Sequence, residues 1–141
     1  DISYKALRLA RRNLPSNRSL AVCADRFAAL SGAPDRRPDF IVCNPPYVPT
    51  DDIDSLDSSV RDYEPFEALD GGGDGLDFYR YLAQAAPLVV RPGGMLYLEI
   101  GAGQAEEVAA VLAGTCWDVL ETVDDLGAVP RVIIARVPPD A

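Results

Sequence analysis

The chain has 141 residues, 48% of them hydrophobic, which suits one domain with a real core. Its 22 acidic and 13 basic residues leave a net charge of −9, which argues against a broad duplex-binding surface. It has no histidine, and its three cysteines lie far apart, so it offers no His-based triad, no His-ligated metal, no zinc spacing and no disulfide framework.

Taken in order, Ser3 can cap a helix in which Leu7, Ala10 and Leu14 follow at spacings of three and four. Arg8, Arg11 and Arg12 fall on its outer face, where arginine near a helix C-terminus suits the dipole. Pro15 ends the helix. Residues 20–23 read as a short strand, with Asp25 and Arg26 just beyond it. Cys23 and Cys43 sit in apolar, strand-like runs, where a buried thiol is the ordinary outcome. A polar loop over 31–38 leads into the central strand. No apolar run approaches the ~20 residues of a membrane span. No charged-then-apolar leader is visible. These features favour the cytoplasm.

The central stretch is Phe40–Cys43 followed by Asn44, Pro45, Pro46 and Tyr47. The first four residues are apolar, aromatic or β-branched and read as a buried strand. Two prolines stop the ladder, so the next residues leave the strand as a stiff, extended loop. Catalytic groups of open α/β folds gather at that carboxyl edge. Asn44 brings an acceptor and two donors, Pro45 a carbonyl with no N–H beside it, and Tyr47 a flat ring. Together they suit a planar –NH2 group: acceptors for its hydrogens and a ring for its face. Holding both hydrogens aims a delocalised lone pair at an electrophile, which is catalysis by position. The same residues also suit a plain proline turn with a capping Asn.

Residues 48–75 read as a long irregular stretch rich in Asp, ending in Gly71, Gly72, Gly73, Asp74 and Gly75. A glycine run invites a phosphate-loop reading, but no Gly-Lys-Ser/Thr follows it. Leu76, Tyr79, Ala83, Ala86 and Val90 mark one helix face, disturbed near its end by Pro87. A strand over 95–100 and a helix over 104–113 come next, with Gly114 as its stop. Gly101, Ala102 and Gly103 between them imitate a nucleotide-binding turn, but the third glycine is replaced by Ala105. Strands over 117–123 and 131–137 close the pattern. Alternation of strands and helices predicts an α/β layered fold with a mainly parallel sheet and an antiparallel final strand.

The chain resembles the protein-(glutamine-N5) methyltransferases that act on peptide chain release factors. The resemblance rests on Asp1, Ile2 and Ser3; on Asn44, Pro45, Pro46, Tyr47 and Val48; and on Arg61, Asp62, Tyr63, Glu64 and Pro65. It continues through Gly75, Leu76, Asp77, Phe78 and Tyr79, then Pro92, Gly93 and Gly94, then Leu98, Glu99, Ile100, Gly101 and Gln104, and ends at Arg131 and Val132. Asn-Pro-Pro-Tyr alone is shared with adenine and guanine N-methyltransferases. The resemblance implies a Rossmann-like class I fold that uses S-adenosylmethionine to methylate the glutamine of a release factor's Gly-Gly-Gln loop. It implies that Asp1 binds the cofactor ribose, that Asp25 and Arg26 lie beside the adenine, and that Asn44 lies near the sulfonium methyl. Asn44, Pro45, Pro46 and Tyr47 would bind the substrate amide, with Asn44 and Tyr47 as the catalytic pair, and Glu64 would brace the acidic loop.

In that family a helical domain and a glycine-rich cofactor loop come first. Both are expected before Asp1, so these residues would be the C-terminal portion of a methyltransferase domain, binding cofactor weakly by themselves. The expected partner is a release factor, with neither a membrane nor direct nucleic-acid binding expected. The alternatives are a nucleic-acid amino-group N-methyltransferase and a non-catalytic binding fragment.

Overall fold

The computed structural model describes residues 1–15, 17–30 and 37–139. The loop expected over 31–38 lies mostly outside them. The chain divides into two compact units, Asp1–Arg37 and Pro38–Ala141.

In the first unit, helix α1 spans Tyr4–Asn13. Ser3 caps it as expected: its hydroxyl accepts from the Ala6 N–H at 3.2 Å. Arg11 and Arg12 occupy its last turn. Residues 20–23 do not form the expected strand. They run extended beside the start of the chain, where the Asp1 amino group donates to the Val22 carbonyl and the Ala24 N–H donates to the Asp1 carbonyl. Cys23 is exposed rather than buried, with its thiol toward the Ile2 carbonyl.

The second unit is built on four strands: β1 (Phe40–Cys43), β2 (Met95–Glu99), β3 (Asp118–Asp124) and β4 (Pro130–Arg136). Their spatial order is β1-β2-β4-β3. β1 and β2 are parallel, and β4 runs antiparallel to both of its neighbours. Thus β1, β2 and β3 share a direction and β4 opposes it. Helix α4 (Asp77–Val89) and helix α5 (Ala105–Ala113) supply the layer over one face. Leu96, Leu98, Ile133 and Ala135 bury fully with Tyr79, Leu82, Ala86, Val108 and Leu112. Each large aliphatic side chain so buried contributes about 1.5–3 kcal/mol. α4 runs through Pro87 rather than ending there.

Two expectations change here. Among the described residues β1 lies at one edge of the sheet rather than inside it, with Phe40 58% and Val42 72% exposed. Its alternate residues face away from α4 and α5, and there the Phe40 and Tyr97 rings meet edge to face, at 6.1 Å between centroids. Residues 48–75 are not structureless either. They hold a 3₁₀ turn (Thr50–Ser55) and two single-turn helices, α2 (Ser58–Arg61) and α3 (Phe66–Leu69). Asp57 caps α2 by accepting from the Ser59 N–H, and the Ser59 hydroxyl together with that N–H lowers its pKa.

Candidate functional site

β1 ends at Cys43, paired with Leu98, and the chain then leaves the sheet. Asn44 is exposed, Pro45 is buried, and Pro46 and Tyr47 are half-buried. With two prolines in succession the loop has few backbone donors of its own, so its position is set from its ends. The ladder to β2 holds the upstream end. Downstream, Val48 forms an isolated parallel bridge with Asp70. The Val48 N–H donates to the Leu69 carbonyl, and the Gly71 N–H donates back to Val48. Asp70 adds a side-chain clamp, accepting from the Thr50 hydroxyl at 2.7 Å and from the Gly72 N–H. The Asp-rich stretch after Tyr47 therefore fixes the exit of the proline loop.

Tyr47 sits in a cradle of glycines. A Cβ on Gly75 would meet the Tyr47 carbonyl oxygen at 2.5 Å, and one on Gly71 would meet the Tyr47 Cα at 2.8 Å. A Cβ on Gly101 would come within 3.0 Å of the Tyr47 ring. Gly75 also holds a φ of +76°, which side-chain-bearing residues rarely adopt. The glycine run is thus a packing surface for Tyr47, and the Gly-x-Gly turn touches the same residue through Gly101.

Gln104 completes the surroundings. Its Nε2–H donates to the Tyr47 carbonyl at 3.0 Å. Its Oε1 accepts from the Gly101 N–H at 3.0 Å and from the Tyr79 hydroxyl at 3.2 Å. Tyr79 is fully buried, and burial pushes its pKa well above the usual range, so the hydroxyl stays a neutral donor. Burial likewise pushes the Cys43 thiol up to about 11. The Gln104 amide and the backbone of Gly71, Gly75 and Gly101 border Tyr47, surroundings without charge that suit a neutral polar group. Gln104 and Tyr79 were not singled out as site residues from the sequence. The available signal was a glutamine at the N-cap of α5, where Ser, Thr, Asp or Asn is usual and where its side chain makes no cap.

The remaining candidate residues lie in the first unit. Asp1 is exposed, and one of its carboxylate oxygens accepts from the Ser3 N–H at 2.7 Å. Asp25 is exposed and pairs loosely with Arg26 at 3.8 Å. Arg26 adopts a left-handed φ of +48°. The hydrogen bond from the Asp1 amino group to Val22 and that from the Ala24 N–H back to Asp1 bring the start of the chain alongside the run that leads to Asp25. Exposed carboxylates of this kind fit the hydroxyl and amine edges of a nucleoside cofactor. Glu64 is exposed, and its backbone N–H donates to the Val60 carbonyl. Among the described residues no group of three or more metal-ligating side chains gathers, and no helix is long and apolar enough to cross a membrane.

No family model matches the chain. Relatives do. A release factor glutamine methyltransferase of Geobacter sulfurreducens is 48% identical over 73% of this chain and 36% of its own length. Those of Rhodospirillum rubrum and Cereibacter sphaeroides are 42% and 39% identical, over 96% and 98% of this chain and 42% and 50% of their own. The chain therefore spans half or less of the length of these relatives. Among solved structures, a release factor-specific protein-(glutamine-N5) methyltransferase from Alicyclobacillus acidocaldarius is 30% identical, with a TM-score of 0.51 over 80% of this chain and 58% of that one. A methyltransferase from Pyrococcus furiosus shares the fold, with a TM-score of 0.66 over 98% of this chain and 60% of that one, at 17% identity. Along the part of their length that it spans, the chain belongs with the release factor glutamine methyltransferases and has their class I methyltransferase fold.

Proposed function

We propose that this chain carries the substrate-amide site of an enzyme that transfers a methyl group from S-adenosylmethionine to the glutamine side-chain nitrogen of a release factor's Gly-Gly-Gln loop. The observation that carries the reading is the loop Asn44, Pro45, Pro46 and Tyr47, leaving the carboxyl end of β1 and cradled by glycines, in a chain whose relatives are named for that reaction. The cofactor, when bound, supplies an electron-poor methyl group on a sulfonium.

The protein's share is position. The Asn44 side-chain oxygen and the Pro45 carbonyl accept the two hydrogens of the substrate –NH2, and the Tyr47 ring packs on the amide plane. The nitrogen lone pair then points out of that plane toward the methyl. As the N–C bond forms, the S–C bond of the bound cofactor breaks to leave a neutral thioether, and the nitrogen loses one proton to solvent, so no base is needed beforehand. Ordered, neutral acceptors of this kind act in the transition state without reorganising. In the first unit, Asp1 and Asp25, with Arg26, are the residues that would hold the nucleoside end of the cofactor.

A nucleic-acid amino-group methyltransferase uses the same loop, but the net charge of −9 opposes a polyanionic substrate. The test is to incubate the intact protein with methyl-labelled cofactor and either a release factor or a DNA oligonucleotide. One label on the glutamine of the Gly-Gly-Gln peptide is expected, and label on the DNA alone would overturn the reading.

A further inference from the structure

We infer that Gln104 is the residue that positions Tyr47, and through it the proline loop, for methyl transfer; this rests on the reading of that loop as the amide site. Gln104 follows the Gly101 turn and stands 57 residues beyond Tyr47. Its amide orientation is determined by its partners. The Gly101 N–H can only donate, so it must face Oε1, and the Tyr47 carbonyl can only accept, so it must face Nε2. The Tyr79 hydroxyl supplies a second donor to Oε1. The amide group thus ties three elements together: the loop after β1, the turn after β2, and α4.

Sterics agree with the hydrogen bonds. A Cβ on Gly75 would meet Gln104 Nε2 at 2.8 Å, and one on Gly101 would meet its Oε1 at 2.5 Å. Both glycines leave room for this one side chain. The bond to Tyr47 falls on its backbone carbonyl, so it fixes the Tyr47–Val48 peptide plane and with it the Cα that carries the ring. Gln104 touches no reacting atom in this scheme and is a positioning residue.

Two variants separate its roles. Gln104→Glu keeps an acceptor for Gly101 and Tyr79 but turns a second acceptor toward the Tyr47 carbonyl. Gln104→Leu removes all three contacts. In the intact protein with S-adenosylmethionine and release factor, both are expected to lower kcat by ~10- to 100-fold, the scale of a small misplacement of reacting groups. KM for the release factor should change much less. Adding Gln104→Leu to Asn44→Ala should cost nothing further, because both act on one step. Wild-type kcat in Gln104→Glu, or full additivity with Asn44→Ala, overturns the assignment. A crystal structure of Gln104→Leu is the arm independent of activity: a displaced Tyr47 carbonyl supports the assignment and an unmoved one overturns it. If the wild-type protein methylates no glutamine, the proposed function falls, while that structure still decides the role of Gln104.

Discussion

The indole N–H of Trp117 donates to the main-chain carbonyl of Ala83, 3.2 Å away and 34 residues earlier. In an unbroken helix that carbonyl would accept from the N–H four residues on. That residue is Pro87, which has none. Both Trp117 and Ala83 are buried, so water cannot take the vacant lone pair. The tryptophan repairs a defect that proline introduces into α4, and it ties β3's approach to that helix.

Trp117→Phe is therefore expected to destabilise the protein by about 1–3 kcal/mol, mostly by leaving a buried carbonyl unsatisfied. In a Pro87→Ala background the N–H of the introduced alanine can take that carbonyl, and the same Trp117→Phe change should cost distinctly less. Urea unfolding of the four proteins in the cycle measures the difference. Equal costs in both backgrounds would mean that the indole contributes only its bulk.

Asn44→Ala should lower the rate of methyl transfer by about 10²–10³, the usual loss for one placed hydrogen-bonding group. Asn44 is exposed, so the melting temperature should stay close to that of the wild type. Single-turnover methylation of a release factor, paired with a thermal melt, checks both halves.

At Tyr47 the structural contacts run through the backbone carbonyl and the ring, not the hydroxyl. Tyr47→Phe should keep a rate near the wild-type value, and Tyr47→Ala should lose about tenfold or more through misplacement of the amide. Comparing kcat for the two variants decides between ring packing and a hydroxyl hydrogen bond. Equal losses would assign the role to the hydroxyl.

Two neighbouring glycines make a matched pair. Gly75→Ala places a methyl against the Tyr47 carbonyl at a positive φ, and about 1–3 kcal/mol of stability should go with it. Gly73 has open space around its Cβ position, so Gly73→Ala should be close to neutral. Thermal denaturation of each variant, followed by kcat, should show stability and activity falling together only at Gly75.

The Cys43 thiol is pushed up to about 11 by burial, above its ordinary value of 9.0. Between those values the unfolded chain ionises while the folded one stays protonated. The contribution of Cys43 to stability is thus fully present below pH 9 and is lost as pH rises toward 11. Tyr79, also raised by burial, adds to the alkaline loss from its own ordinary value of 10.0 upward. Cys43→Ala should flatten the first part of that decline in a pH series of urea melts. Consistently, iodoacetamide at neutral pH should label the exposed Cys23 and Cys116 before Cys43.

The regular elements of the second unit were legible because their periodicity is local. The strands expected over 95–100, 117–123 and 131–137 appear as Met95–Glu99, Asp118–Asp124 and Pro130–Arg136. The proline loop announced itself by composition. What could not be read is what depends on partners. Phe40 and Val42 have the chemistry of a core strand, but burial belongs to the surroundings, and β1 lies at an edge. Residues 20–23 have the apolar character of a strand, but among the described residues their run is tied to the chain only by bonds with Asp1 and Ile2. Gln104 reaches Tyr47 across 57 residues, and no pattern within a window of the sequence encodes that contact.

The place of β4 has a consequence for biosynthesis. It lies between β2 and β3 yet follows both in the chain. As the polypeptide emerges from the ribosome, β2 can pair with β1, but its other edge has to wait. β3 emerges next and finds no neighbour until β4 arrives to bridge them. A nascent chain halted before Pro130 would thus leave open the two edges that β4 later fills, an opening for intermolecular strand pairing. Arrival of seven residues closes both edges together.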